Sequence, residues 1–194
     1  MAPLTEALKD VKALIFDVFG TVVDWRSTVH QELIRRARHK VASSAFKELP
    51  ETLRSCFQGI SDEDWGTFAQ EWRTSYGVFT QSFVPGKTKW KDIDTHQYDS
   101  LKELLQKWNV SSVYSDEEIR SLSLVWHYLR PWDDSALGIQ RLGTQYVTST
   151  LSNGNRSLLE DLNAHGSLGF KRIISSADFG AYKVRLLWRI CTPT

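Results

Sequence analysis

The chain has 194 residues, of which 41% are apolar and 24% are charged, and its formal net charge is +1. This near neutrality argues against nucleic acids and anionic membranes as partners, since both need a basic surface. We find no apolar run near the roughly 20 residues of a membrane-spanning helix, no signal peptide, and only two cysteines, so we expect a soluble, cytoplasmic protein without a disulfide framework.

The first predicted element is a short β-strand. Residues 11–16 read Val-Lys-Ala-Leu-Ile-Phe and are followed by Asp17 and by a turn at Gly20–Thr21. Short, almost wholly apolar runs of this kind are typical of the buried strands of parallel sheets. The sequence therefore predicts a buried strand that ends at Asp17.

The next hundred residues, from Trp25 to about Tyr128, predict helices and no strand. Aromatic residues recur at three- and four-residue spacing in the second of these helices, and Ser115 with Glu118 forms a capping box at the start of the last. The predicted helices begin at Ser27, Ser61, Thr88 and Ser115, and the expected ends of the first, third and fourth are Ala42, Trp108 and the region of Trp126 before Pro131.

After Pro131 the predicted helices and strands alternate, which indicates an α/β fold with a parallel sheet. The expected layout is a Rossmann-like core of residues 1–24 and 130–194, with an α-helical cap domain of residues 25–129 inserted into it. The predicted elements of the second core segment are a helix over Ser135–Leu142 with Gly143 as its C-cap, a strand over Tyr146–Leu151, a helix over Ser157–Ala164 and a third strand over Arg172–Ser175.

Polar residues follow the three predicted strands. Asp17 follows the first, Ser152 and Asn153 follow the second, and a segment that ends in Lys183 follows the third. Each feature alone is common, as a cap, a turn or a solvated lysine. Because ligands bind at the carboxyl ends of the strands in open α/β sheets, their order along the chain predicts one shared site. A carboxylate there can attack carbon or phosphorus and form a covalent intermediate, and a nearby lysine counters its charge.

These segments resemble the motifs of the haloacid dehalogenase (HAD) superfamily. Residues 16–24, Phe-Asp-Val-Phe-Gly-Thr-Val-Val-Asp, are similar to its first motif, residues 151–154 to its second and residues 176–183 to its third. The helical insertion stands where the family has its cap. The resemblance implies a HAD-like core and the following roles: Asp17 as the nucleophile, Lys183 as its counter-charge, and Thr21, Ser152 and Asn153 as residues that orient Asp17 or the substrate.

The second residue after the nucleophile separates the branches of this superfamily. Its phosphatases carry there an aspartate that acts as general acid and base and helps to hold Mg²⁺. This chain has Phe19 instead, and a phenyl ring can neither donate nor accept a proton. A halide leaving group needs no proton. The first motif is thus similar to that of the L-2-haloacid dehalogenases, which implies that neither a metal nor another cofactor is needed.

A Trp-Arg pair on the second predicted helix fits the same branch. The resemblance implies that Arg73 receives the departing halide, and that Phe19, Trp72 and Val18 line the substrate site. Without the family, Arg73 reads equally as an exposed helix arginine and Trp72 as a core residue. The expected reaction is the hydrolysis of a small-molecule 2-haloacid to a 2-hydroxy acid through an ester on Asp17. Dimerisation through the cap is common among relatives, so the resemblance leaves a homodimer open, although no residue of this sequence points to one.

The resemblance ends at Lys183. Family members continue with proline and a helix, whereas here residues 184–194 follow without the family's fourth, acidic motif, so we expect a core that is incomplete at its C-terminus. One interpretation is a truncated or alternatively spliced chain, and the other is that residues 184–191 cover the open sheet edge. The alternatives to a dehalogenase are a HAD-type phosphatase and a truncated, inactive chain, and an intermediate outcome is ester formation without ester hydrolysis.

Overall fold

The computed structural model describes residues 9–183, and the predictions for residues 184–194 lie outside the described residues. Strands and helices alternate as expected for an α/β fold. The strands are β1 (Ala13–Phe16), β2 (Val23–Asp24), β3 (Arg130–Pro131) and β4 (Val147–Thr150). The helices are α1 (Trp25–Ala42), α2 (Ser44–Lys47), α3 (Glu51–Gln58), α4 (Asp62–Ser82), α5 (Ile93–Lys107), α6 (Asp116–Ser123), α7 (Ser135–Leu142) and α8 (Arg156–His165), with 3₁₀ turns at Ser111–Val113, Leu124–His127 and Ser176–Phe179.

Strands β1 and β4 pair in parallel, as predicted, with Ala13 opposite Val147. On one face of this pair, Phe16 packs edge to face on Phe170, with the ring centroids 5.7 Å apart. The expectation that the first strand is buried is wrong, because the face of β1 that carries Ile15 is exposed to solvent. Ile15 itself is 60% exposed. Within residues 9–183, β4 is the strand that pairs with β1, so β1 is an edge of the described sheet.

The third predicted strand, residues 172–175, is not a continuous strand. The segment makes isolated parallel bridges to Ser149 and Ser152. Between these bridges the Thr150 hydroxyl replaces the backbone ladder, since it donates to the Ile174 carbonyl at 3.0 Å and accepts from the Ile174 amide at 2.9 Å. The segment still runs beside β4 in the same direction, so its end reaches the edge of the sheet where β1 and β4 end.

Capping side chains set where several of the helices begin. Helix α1 begins two residues earlier than predicted, because Asp24 accepts a hydrogen bond from the Ser27 amide at 3.0 Å. Helix α5 begins five residues later than predicted, because Asp92 caps it by accepting from the Thr95 amide at 2.8 Å. The capping box at Ser115 is confirmed at the start of α6.

The two ends of the helical insertion lie side by side. Strands β2 and β3 pair antiparallel, with Val23 opposite Pro131. The predicted helix through Trp126 becomes a 3₁₀ turn after Ser123, so that the chain reaches β3 within a few residues. We call residues 25–129 the cap. In the described part of the chain, 9–183, no helix has the length and apolar character that crossing a bilayer requires.

Candidate functional site

The centre of the candidate site is the carboxylate of Asp17, at the end of β1. Lys183 donates from Nζ to Oδ1 at 2.8 Å, and the Thr21 hydroxyl donates to Oδ2 at 3.3 Å. The side chain of Asp17 is 41% exposed. Both of its oxygens are thus held from the protein side while the group stays open to an incoming molecule.

A tight turn brings Thr21 back to Asp17. Gly20 has a φ of +87°, a conformation that residues with a Cβ rarely adopt. The Val18 carbonyl accepts hydrogen bonds from the amides of Thr21 and Val22, which closes the turn. The side chain of Val18 is buried in the core, so what this residue offers to the predicted substrate site is its backbone.

Ser152 and Asn153 hold the loop that carries the lysine. The Asn153 side-chain oxygen accepts from the backbone amide of Lys183 at 2.6 Å and from the Ser176 hydroxyl at 3.0 Å. The Ser152 carbonyl accepts from the Ser176 amide at 2.8 Å, and both residues of the second motif are buried. Asn153 thus holds the backbone of Lys183 directly, and Ser152 holds the preceding part of the same segment at Ser176.

Arg73 projects from α4 between two aromatic rings. Its guanidinium carbon lies 4.4 Å from the centroid of the Tyr76 ring and 5.7 Å from that of the Trp25 ring. Among residues 9–183 no carboxylate forms an ion pair with Arg73. The neighbouring Arg26, in contrast, has a hydrogen-bond acceptor, the side-chain oxygen of Gln70. An unpaired cation held by aromatic faces is suited to receive an anion.

Tyr76 is a site residue that the sequence reasoning missed. Burial raises the pKa of its phenol above the ordinary value, although Arg73 and Asn153, which interact with it, act in the opposite direction. The charge of Asp17 also acts on this phenol. The neutral hydroxyl therefore lies where the cap arginine, the second motif and the nucleophile meet. In the sequence Tyr76 belongs to the aromatic pattern of this helix, and its place one helical turn after Arg73 is the signal that sets it apart.

The predicted apolar wall divides into an open and a buried part. Phe19 is partly exposed and packs edge to face on Trp126 at 6.4 Å. Trp72 is 0% exposed and packs edge to face on the same Trp126 at 5.4 Å. The Trp72 indole donates to the Gln97 carbonyl at 3.2 Å and to the Ser100 hydroxyl at 3.1 Å, so all of its polar capacity is used inside the cap. Trp72 is thus a core residue of the cap and not part of the exposed apolar surface.

The other carboxylates of the three motifs serve the fold. Asp24 is buried as the N-cap of α1, and Asp178 pairs with Arg156 at 2.6 Å. Over the described range 9–183, no three His, Cys, Asp or Glu side chains are grouped as a metal site. The independence of metals stays a prediction.

Several solved structures with a similar fold are L-2-haloacid dehalogenases. The defluorinating L-2-haloacid dehalogenase Rha0230 is 27% identical, with a TM-score of 0.74 over 93% of this chain and 69% of that one. The L-2-haloacid dehalogenase PA0810 is also 27% identical, with a TM-score of 0.71 over 91% of this chain and 71% of that one. This chain has the haloacid dehalogenase fold.

A third similar structure with this haloacid dehalogenase fold is the L-2-haloacid dehalogenase from Xanthobacter autotrophicus with chloropropionic acid covalently bound. It is 19% identical, with a TM-score of 0.67 over 95% of this chain and 66% of that one. No family model and no curated protein matches the chain. The similar solved structures confirm the resemblance that the motifs indicate, and they confirm the α/β fold with a helical cap. They also support a hydrolase of this superfamily.

Proposed function

We propose that this protein hydrolyses 2-haloacids to 2-hydroxy acids through an ester on Asp17. The observation that carries the proposal is Phe19, whose partly exposed ring stands two residues after the nucleophile. The alcohol that leaves from a phosphate ester needs a proton donor, and a phenyl ring supplies none. A halide departs as a stable anion, so this site suits carbon–halogen cleavage.

The first step is a displacement at C2 of the substrate. An oxygen of Asp17 forms a bond to C2 while the carbon–halogen bond breaks and its electron pair leaves with the halide. Arg73, which no carboxylate within residues 9–183 pairs with, receives this anion. Lys183 and Thr21 hold the carboxylate in position, as their hydrogen bonds to its two oxygens indicate.

The second step releases the product. Water attacks the carboxyl carbon of the Asp17 ester, the bond from that carbon to the ester oxygen breaks, and the 2-hydroxy acid leaves with the oxygen that came from Asp17. One proton of the water passes to the leaving oxygen, which becomes the product hydroxyl, the other passes to solvent, and the carboxylate is restored. The likeness to two L-2-haloacid dehalogenases at 27% identity supports this chemistry.

Halide release from L-2-chloropropionate tests the proposal. The wild-type chain should release chloride without added metal, and Asp17→Asn, which keeps the shape of the side chain, should release none. Intact mass measured in the same samples separates ester formation from ester hydrolysis. Hydrolysis of a phosphate ester that requires Mg²⁺, with no chloride released and no adduct formed, would instead establish the phosphatase alternative.

A further inference from the structure

Tyr182, the residue before the candidate catalytic lysine, is completely enclosed between the core and the cap. It is 0% exposed. Its ring packs edge to face on Phe79 and Phe83, at centroid distances of 5.4 and 5.2 Å, and stacks on Trp90 at 4.9 Å. Its hydroxyl donates to the Lys91 carbonyl at 2.6 Å. All four partners belong to the cap, from the end of α4 and the connection to α5.

The next residue, Lys183, contacts the nucleophile. The backbone amide of Lys183 donates to the Asn153 side chain at 2.6 Å, and the ammonium group donates to Asp17 at 2.8 Å. Adjacent residues share one peptide plane, so a displacement of Tyr182 displaces Lys183 as well. The cap and the ion pair are therefore joined through a single peptide bond.

We propose that Tyr182 is a positioning residue, and that the aromatic box of Phe79, Phe83 and Trp90 holds Lys183 against Asp17 through it. The seating of the cap and the formation of the Lys183–Asp17 ion pair are then one event. The consequence for turnover rests on the proposed function, whereas the coupling itself is a property of the fold.

The ion pair is too weak to fix the position of Lys183 beside Asp17 by itself. The side chains of Lys183 and Asp17 are 25% and 41% exposed, and exposed ion pairs stabilise a structure little, because water screens them and both side chains lose freedom. A fully buried aromatic ring with its hydroxyl hydrogen-bonded has one position available. The box, rather than the attraction between the charges, fixes where Lys183 stands.

The two titratable rings packed in the box are uncharged near neutral pH, and the charged ammonium of Lys91, 6.0 Å from the Phe79 ring centroid, pairs with Asp99. His96 stacks on the Phe79 ring at 4.2 Å, and burial, with Lys91 nearby, lowers the pKa of this histidine to about 4. Burial also raises the pKa of the Tyr182 phenol above its usual range. Both groups therefore stay neutral in ordinary assay buffers, and the hold on Tyr182 does not vary with their titration.

Competitive acylation of the whole chain with trace acetic anhydride measures the coupling without any assumption about substrate. Peptide mass spectrometry gives the acylation rate of Lys183 relative to that of the exposed Lys47. Asp17→Asn defines the rate of an unpaired Lys183. We expect Tyr182→Leu to raise the relative rate about fivefold, the upper range for loss of a partly exposed ion pair. Tyr182→Phe, which keeps the ring in its box, should stay within about twofold of wild type.

A cap-side variant tests the coupling even where Tyr182→Leu fails to fold. Trp90→Leu removes one wall of the box without touching Lys183 and should raise its acylation in the same way. Trp108→Leu is the matched control, since Trp108 is a partly buried cap tryptophan that packs on Phe68, away from the box, and it should leave Lys183 unchanged. Unchanged acylation of Lys183 in Trp90→Leu, or an equal rise in Trp108→Leu, overturns the proposal.

Kinetics add a readout that a purely structural role would not move. Tyr182→Leu should lower kcat for halide release with little change in KM, and Tyr182→Phe should restore most of kcat. Equal losses of kcat in the two variants would contradict a role for the ring. Should the wild-type chain release no halide from any 2-haloacid, the proposed function fails, while the acylation rates still decide whether Tyr182 positions Lys183.

Discussion

The ammonium group of Lys183 lies 2.8 Å from the carboxylate of Asp17, although the two residues are 166 positions apart in the chain. Two separate strand ends and a buried tyrosine bring them together. A second lysine–carboxylate pair, Lys40 with Glu118 at 2.7 Å, joins α1 to α6 inside the cap, far from this site in the fold. The two pairs have the same chemistry and different surroundings, which allows one to serve as a control for the other.

Replacing each lysine by methionine should separate activity from stability. Lys183→Met should reduce halide release at least about a hundredfold, because Asp17 loses the group that holds it, and should cost at most about 1 kcal/mol of unfolding free energy. Lys40→Met should leave the activity of the folded protein near that of wild type. Its cost should be larger, about 2 kcal/mol, because Lys40 is mostly buried. Initial rates and urea unfolding check both, and a Lys183 variant with full activity would contradict this account.

Arg73 and Arg26 form a second matched pair, since both guanidinium groups lie over the Trp25 ring. Arg73→Ala should lower kcat about a hundredfold, the effect typical of losing one group that stabilises a developing anion. Arg26→Ala, which loses a contact to Gln70, should change it by less than about threefold, as surface substitutions usually do. Similar losses in both variants would show that Arg73 acts through the packing of Trp25 and not on the halide.

Trp72 should matter for stability and not for substrate binding. Trp72→Phe leaves the Gln97 carbonyl and the Ser100 hydroxyl without the indole donor and creates a small cavity, which should cost about 1 to 3 kcal/mol. KM should stay within about twofold of wild type, as expected when no substrate contact is lost. Urea unfolding and steady-state kinetics test this. A raised KM with unchanged stability would place Trp72 in the substrate site after all.

His127 should make the attachment of the cap dependent on pH. Its two ring nitrogens lie 3.2 Å from Asp94 in the cap and 2.7 Å from Asp161 in the core. Burial disfavours the charged ring, but the two carboxylates outweigh it and raise the pKa of His127 above its ordinary 6.5. The stabilisation is therefore fully present below pH 6.5 and is lost as the pH rises through the raised pKa.

Unfolding of His127→Gln across the pH range tests whether the stabilisation by His127 is lost as the pH rises. The difference in unfolding free energy from wild type should be largest below about pH 6.5, on the order of 1 kcal/mol because both carboxylates are partly exposed, and should shrink at higher pH. His39→Gln, at an exposed position within the cap, is the matched control for the loss of an imidazole. A difference that grows with pH would mean that burial, and not the two carboxylates, governs His127.

The meeting of Asp17, Asn153 and Lys183 could be predicted because it follows from a rule of topology. Parallel strands bring their carboxyl ends to one edge, so order along the chain becomes proximity in space. The roles were less accessible, since spacing alone did not show that Asn153 holds the backbone of Lys183. The prediction of a continuous third strand was wrong, because the Thr150 hydroxyl takes the place of the backbone ladder there. Such a replacement has no sequence signature.

The face that the cap turns toward the core could not be predicted from helical spacing. Trp72 and Tyr76 stand four residues apart on α4 and look alike in the sequence, yet one is enclosed by α5 and the other reaches Arg73 and Asn153. The packing of the neighbouring helices decides between them. Tyr182 was missed for the same reason, because its partners come from a connection in the cap about a hundred residues away.

Single-turnover hydrolysis of L-2-chloropropionate in heavy-oxygen water, with excess protein, tests the central claim most directly. Because water attacks the carboxyl carbon of the ester, the account predicts that the heavy oxygen of the first turnover appears in Asp17, found by peptide mass spectrometry, while the 2-hydroxy acid carries ordinary oxygen. Accumulation of the substrate-derived adduct on Asp17 would equally identify the nucleophile. Heavy oxygen in the product hydroxyl with an unlabelled Asp17 would show direct attack by water at C2 and would contradict the account.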